Sequence, residues 1–132
     1  MCLTEHHLNK TEMNYENIDS YNLGACFCRK SRKNGGVIIF VLETPQYTSI
    51  DLNETCIELD IEICGVKLHY SSSNICVLSN YRSPSGNFLY FLNTLESILN
   101  KIYTNSLNMI MCRDININYF DDDDTNRNKI PY

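Results

Sequence analysis

The apolar positions of this chain come in short runs, each closed by a polar turn. Residues 37–42 (VIIFVL) are β-branched and aromatic without a polar break, which predicts a buried strand. Residues 21–28 form a plausible strand before it, and Asn34-Gly35-Gly36 is a turn signal between them, so the pair reads as a hairpin. Residues 59–70 alternate, with Leu59, Ile61, Ile63 and Gly65 on one face and Asp60, Glu62 and Cys64 on the other, the pattern of a half-buried strand. Residues 75–81 (ICVLSNY) give another strand, 46–52 a weaker one after Pro45, and 2–4 a short one at the start. Helical spacing is clearest over 88–103, where Phe88, Phe91, Leu92, Leu95, Ile98, Leu99 and Ile102 fall on one stripe. Met109 to Cys112 is again unbroken and apolar, and predicts a strand buried on both faces in the middle of an α/β sheet. The polar stretch 9–20 reads as a loop with a helical turn, and Asp121 to Asp124 as the first turn of a further helix. Many strands followed by a helix and a strand predict an α/β fold, a two-sheet sandwich that begins and ends mid-fold.

Size and composition narrow the class. The 132 residues are one domain's worth of chain, and 43% hydrophobic with 20% charged residues is a globular balance. The formal charge of -5, with 29–33 as the one basic cluster, gives no footprint for strong nonspecific nucleic-acid binding, but suits a site that collects a divalent cation. Seven scattered cysteines, several inside apolar runs, read as small buried thiols of a reducing, intracellular compartment, nuclear or cytoplasmic, with no disulfide partner. The amino terminus lacks a signal-peptide core, and the longest apolar run, Val37–Leu42, is too short to span a bilayer.

Three polar clusters each follow an apolar strand: Glu5-His6-His7, Tyr81-Arg82-Ser83-Pro84 and Asp114-Ile115-Asn116. Strands aligned in one sandwich would bring these clusters to a common edge, where open α/β sheets bind ligands. One carboxylate with substrate oxygens and waters is how Mg²⁺ is usually held. A phenol and a guanidinium can hydrogen-bond a phosphodiester. An Asp beside an Asn can place and deprotonate an attacking water. In extended backbone Asp114 and Asn116 would leave the same face, one strand step apart. His6 and His7 read as solvated, on opposite faces of the chain.

The segments LTEHHL, NGGVIIFV, YRSPSGNF with its helix, and RDININYF, in that order, resemble the endonuclease/exonuclease/phosphatase domain. More narrowly, they are similar to the apurinic-type endonuclease of non-LTR, jockey-like retrotransposons. The resemblance implies a four-layer fold, two sheets flanked by helices, and a Mg²⁺- or Mn²⁺-dependent phosphodiester hydrolase. By position, it implies that Glu5 binds the metal and that Tyr81, followed by Arg82, contacts the scissile phosphate. It further implies that Asp114 orients or activates water and that Asn116 holds the phosphate. Arg113 stands where the family has glycine, and Ile115 where it has an aromatic residue. Arg113 is thereby expected to pair with Asp114 and lower its basicity. The family's first-strand asparagine and its late Asp and His groups have no counterpart here, which implies a partial domain, weak or inactive alone. The implied partners are DNA and the reverse transcriptase of a parent element. Two other readings are a noncatalytic nucleic-acid- or protein-binding module on the same scaffold, and a phosphatase of the same fold.

Overall fold

A computed structural model describes residues 1–32, 34–105 and 107–117. The expected helix start at Asp121 to Asp124 lies outside the described residues. Among the described residues, seven strands form two sheets. The first, ordered β1-β3-β2, joins β1 (Cys2–Thr4), β2 (Tyr21–Phe27) and β3 (Val37–Leu42), all antiparallel. The second, ordered β4-β5-β6-β7, joins β4 (Gln46–Ile50), β5 (Glu62–His69), β6 (Asn74–Tyr81) and β7 (Leu107–Asp114). Its pairs are antiparallel except β6 with β7, which are parallel because the helix α2 (Phe88–Ile102) carries the chain back between them.

Three apolar clusters stack these elements into the expected layers. Val37, Ile39 and Val41 on one face of β3 meet Cys64, Val66 and Tyr81 of the second sheet, making the sandwich core. Ile38 and Phe40, on the other face of β3, pack on Met13 of the short helix α1 (Lys10–Met13). Ile61 and Ile63 pack outward against Phe88, Phe91, Leu95 and Ile98 of α2. The order is therefore helix, sheet, sheet, helix.

Local signals explain the element ends. Asn9 caps α1 by accepting from the Thr11 and Glu12 amides at 2.9 Å each, while the Glu12 carboxylate takes the Asn9 amide at 2.8 Å, a complete capping box. Asn87 starts α2 by accepting from the Tyr90 amide at 2.9 Å, just after the Ser83–Gly86 break. The predicted hairpin and the 88–103 helical stripe are both present, the helix ending one residue short at Ile102.

Two expectations are corrected. The alternating strand is not half-buried: Glu62 through Val66 of β5 are buried on both faces, because α2 covers one side and the first sheet the other. The Met109 run is not a central strand either. β7 is the outermost described strand of its sheet, and Ile110 is 50% exposed.

Candidate active site at one rim of the sandwich

The rim is built from one row of the second sheet. Glu62 pairs opposite Tyr81, and Tyr81 opposite Asp114, so the three side chains share a face. Tyr81 belongs to the sandwich core, so that face looks toward the first sheet. Glu5 reaches it from there. It follows β1 with a left-handed backbone (φ 52°), and its amide donates to the Gly36 carbonyl at 2.9 Å. The Tyr81 hydroxyl donates to Glu5 Oε1 at 2.6 Å. Glu5 and Tyr81 thus meet in a direct bond between the two sheets, and Asp114 stands opposite Tyr81 in the strand register.

Tyr81 is 2% exposed. Burial, followed by its hydrogen bond to the Glu5 carboxylate, pushes the phenol up to about 12. It stays protonated at neutral pH and acts as a donor.

Asp114 and Asn116 do not leave a common strand face. β7 ends at Asp114, and Asn116 has turned into the left-handed region (φ 49°). The turn brings the Asn116 amide to Asp114 Oδ1 at 3.3 Å and the Asn116 Nδ2 to the Arg82 carbonyl at 2.8 Å. Arg113 is exposed, and strand alternation points it away from Asp114, so the expected pairing is not made through the strand.

Arg82 is 1% exposed and lies on the helix side of the sheet, its guanidinium carbon 5.3 Å from the Phe88 ring centroid. It donates to the carbonyls of Ile115 (2.9 Å), Asn116 (2.9 Å) and Gly86 (2.6 Å). A Cβ on Gly86 would meet the Leu59 carbonyl oxygen at 2.2 Å, so this turn needs glycine. Arg82 thereby ties the turn that follows Asp114 to the loop that follows β6.

His6 is not solvated. Its Nε2–H donates to the Phe27 carbonyl at 3.0 Å, and its Nδ1 accepts the Leu8 amide at 3.0 Å, which sets the tautomer; burial pushes its pKa down. His7 is exposed, as expected.

Two residues without a site role in the sequence reading sit beneath the site. Glu62 is fully buried; Arg29 Nε donates to its Oε1 at 2.6 Å, and Arg29 Nη2 lies 2.6 Å from the same oxygen as an ion pair. The Arg29 guanidinium carbon lies 5.7 Å from the Tyr81 ring centroid. The available signal was an acid inside an apolar strand, which needs a partner, and the chain's one basic cluster. Beyond Arg29, a cleft of about 490 Å³ is lined in part by His7, Asn9, Lys30, Arg32 and Gly35.

Among the described residues no group of three or more His, Cys, Asp and Glu side chains could hold a metal. Glu5 and Asp114 are the rim carboxylates outside the Glu62–Arg29 pair. That donor set fits a hard cation held by one or two carboxylates and completed by water and substrate oxygens, not a closed protein cage. No described helix is long and apolar enough to cross a membrane. All seven thiols are free, with Cys64 and Cys76 buried and Cys112, expected inside, only half-buried.

No protein-family model matches the chain, and no curated protein does. Among solved structures it is similar to the endonuclease domain of TRAS1, a telomere-specific non-LTR retrotransposon, with a TM-score of 0.53 and 13% identity. The chain has the fold of that endonuclease domain. The match covers 76% of this chain and 43% of the other, so the chain spans less than half the length of the domain it resembles. The α/β sandwich expected from the order of the motifs is the fold observed.

Proposed function

We propose that the chain is the Glu5–Asp114 portion of a divalent-metal-dependent endonuclease that hydrolyses DNA phosphodiester bonds, nicking target DNA for a retrotransposon. The observation that carries this reading is the 2.6 Å bond from the Tyr81 hydroxyl to Glu5, made beside Asp114 at one rim. Glu5 would hold Mg²⁺ or Mn²⁺ there, and a bound ion would supply charge stabilisation for the phosphate and the leaving oxygen. Asp114 takes the proton of the attacking water. The Asn116 amide aims one Asp114 oxygen, leaving the other for water. Tyr81, held protonated by burial, donates to a non-bridging phosphate oxygen when substrate draws it from Glu5. Arg82 and Asn116 serve as positioning groups through the bonds they donate to backbone carbonyls, with further N–H groups able to face the phosphate. Lys30 and Arg32 in the neighbouring cleft supply positive charge for the DNA backbone in an otherwise acidic chain. DNA is the partner, with the reverse transcriptase of a parent element.

A second reading is a noncatalytic DNA-binding remnant of the same scaffold. The cleft lined by Arg29, Lys30 and Arg32, which could hold a phosphate backbone without chemistry, favours it. Supercoiled-plasmid nicking by the purified chain in Mg²⁺ or Mn²⁺ separates the two. Slow nicking that disappears in Asp114→Ala and Glu5→Gln is the expected result. Salt-sensitive DNA binding with no cleavage supports the remnant, and neither cleavage nor binding overturns both readings.

A further inference from the structure

Glu62 accepts hydrogen bonds that lead, by separate short paths, to three parts of the rim. Its Oε2 takes the Gly36 amide at 2.6 Å, and the Gly36 carbonyl in turn takes the Glu5 amide at 2.9 Å. Its Oε1 takes the Leu59 amide at 3.0 Å, and the Leu59 carbonyl takes the Ser83 amide at 2.9 Å, just past Tyr81-Arg82. Its Oε1 also holds Arg29, whose guanidinium lies against the Tyr81 ring.

The intermediate residues are shaped for this. Gly36 has φ 87°, and a Cβ there would stand 2.1 Å from His6 Nε2, so only glycine relays between Glu62 and Glu5. Leu59 carries a left-handed backbone (φ 77°) although it has a side chain, and its amide and carbonyl are both engaged in the path. A non-glycine residue keeps that conformation only where its surroundings impose it.

We infer that Glu62, with Arg29, is a positioning pair that sets the Glu5–Tyr81 contact from beneath. This rests on the proposed hydrolysis, in which Glu5 and Tyr81 act on metal and phosphate. Burying an ion pair contributes little net stability compared with an apolar pair of the same shape, so stability alone gives no reason for it. What the charge provides is one carboxylate that accepts from Arg29, Gly36 and Leu59 and so reaches both sheets at once. Glu62 touches neither substrate nor metal in this scheme; it acts through Gly36, Leu59 and Arg29.

The test is amide hydrogen exchange on the intact chain, comparing wild type with the doubly neutral Arg29→Met/Glu62→Gln variant. The Glu5 and Ser83 amides are each one peptide removed from Glu62, so they report relayed order rather than the deleted bond. They are expected to exchange about tenfold faster in the variant, while Val66 and Leu78 in the core keep their protection. Rescue is expected in Glu62 alone with its charge kept: Glu62→Asp retains partial protection at Gly36 and Glu5. Unchanged exchange at Glu5 and Ser83 overturns the inference. So does uniform acceleration across the sheets, which marks a purely structural pair, and so does failure of the neutral variant to fold. Exchange needs no substrate, so an absence of nicking counts against the proposed hydrolysis without touching this result. Where the wild type does nick, the neutral variant is expected to lower turnover and leave the half-saturating DNA concentration unchanged.

Discussion

Two arginines occupy opposite faces of the second sheet at the same rim, and they stabilise it in different ways. Arg29 lies on the sandwich side, paired with a carboxylate and set against Tyr81. Arg82 lies on the helix side, paired with backbone carbonyls and set against Phe88. Each cation has a buried aromatic face beside it, but one meets a charge and the other meets dipoles. A carbonyl cannot be left behind as a charge, so Arg82 fixes the path of the chain mainly through dipoles, with the Asp60 carboxylate acting on it from a distance. Glu62 becomes an isolated buried charge if Arg29 leaves, so that pair must be kept or lost together. The adjacent residues Tyr81 and Arg82 thus divide the labour: one is aimed at Glu5, the other holds the loops that carry Asp114.

The largest expected effect breaks the charged side of this comparison. Arg29→Met leaves the Glu62 carboxylate with backbone amides alone and is expected to destabilise by about 3–5 kcal/mol. Adding Glu62→Gln is expected to recover most of that loss, because a neutral amide in the same place has little desolvation penalty. Urea denaturation of both variants measures it. Equal destabilisation in the single and double variants would show that Arg29 matters by volume and not by charge.

Arg82→Met is expected to cost less, about 3 kcal/mol, since the stranded carbonyls of Gly86, Ile115 and Asn116 are dipoles rather than charges. Its damage should be local. Amides at the start of α2 and around Asp114 should lose protection while the sandwich core keeps its own. A variant as unstable as Arg29→Met, unfolding in both sheets together, would erase the distinction between the two cations.

The same contrast shows what the sequence could disclose. Val37–Leu42 and the α2 stripe were legible because burial repeats along each element, and period 2 or 3.6 follows from local geometry. The meeting of Glu5, Tyr81 and Asp114 was legible only through motif order, since residues 76 positions apart make the decisive bond. Glu62 was misread for a definite reason. Alternation marks a face as polar, but cannot tell water from a buried cation 33 residues away. Met109 to Cys112 failed in the opposite sense: an apolar run states what a strand tolerates, not how many neighbours cover it, and among the described residues β7 has one. The Asp114–Asn116 arrangement was lost to a single left-handed residue, Asn116, which no spacing rule anticipates.

The smallest effect concerns thiols placed on the same two faces. Cys64 lies inside the sandwich, packed in the core with Val66 and Tyr81, and Cys56 lies half-buried on the helix side. Burial pushes both up, Cys56 to about 11 from an ordinary 9.0 and Cys64 further. In the unfolded chain these thiols ionise near their ordinary value; in the folded chain they resist. As pH rises past that value the unfolded state loses protons that the folded state keeps, so the equilibrium moves toward unfolding. Stability is therefore expected to be level below about pH 8.5 and to decline above it, through the window that closes at the folded value. Tyr81, held near 12 by burial and Glu5, acts with the same sign at higher pH. Denaturation midpoints between neutral and alkaline pH measure the slope, and Cys64→Ala should flatten it more than Cys56→Ala because the sandwich face is the drier of the two. The reverse order would mean that the helix side excludes water better than the face carrying Glu62 and Arg29, and that their charges are more solvated than their burial implies.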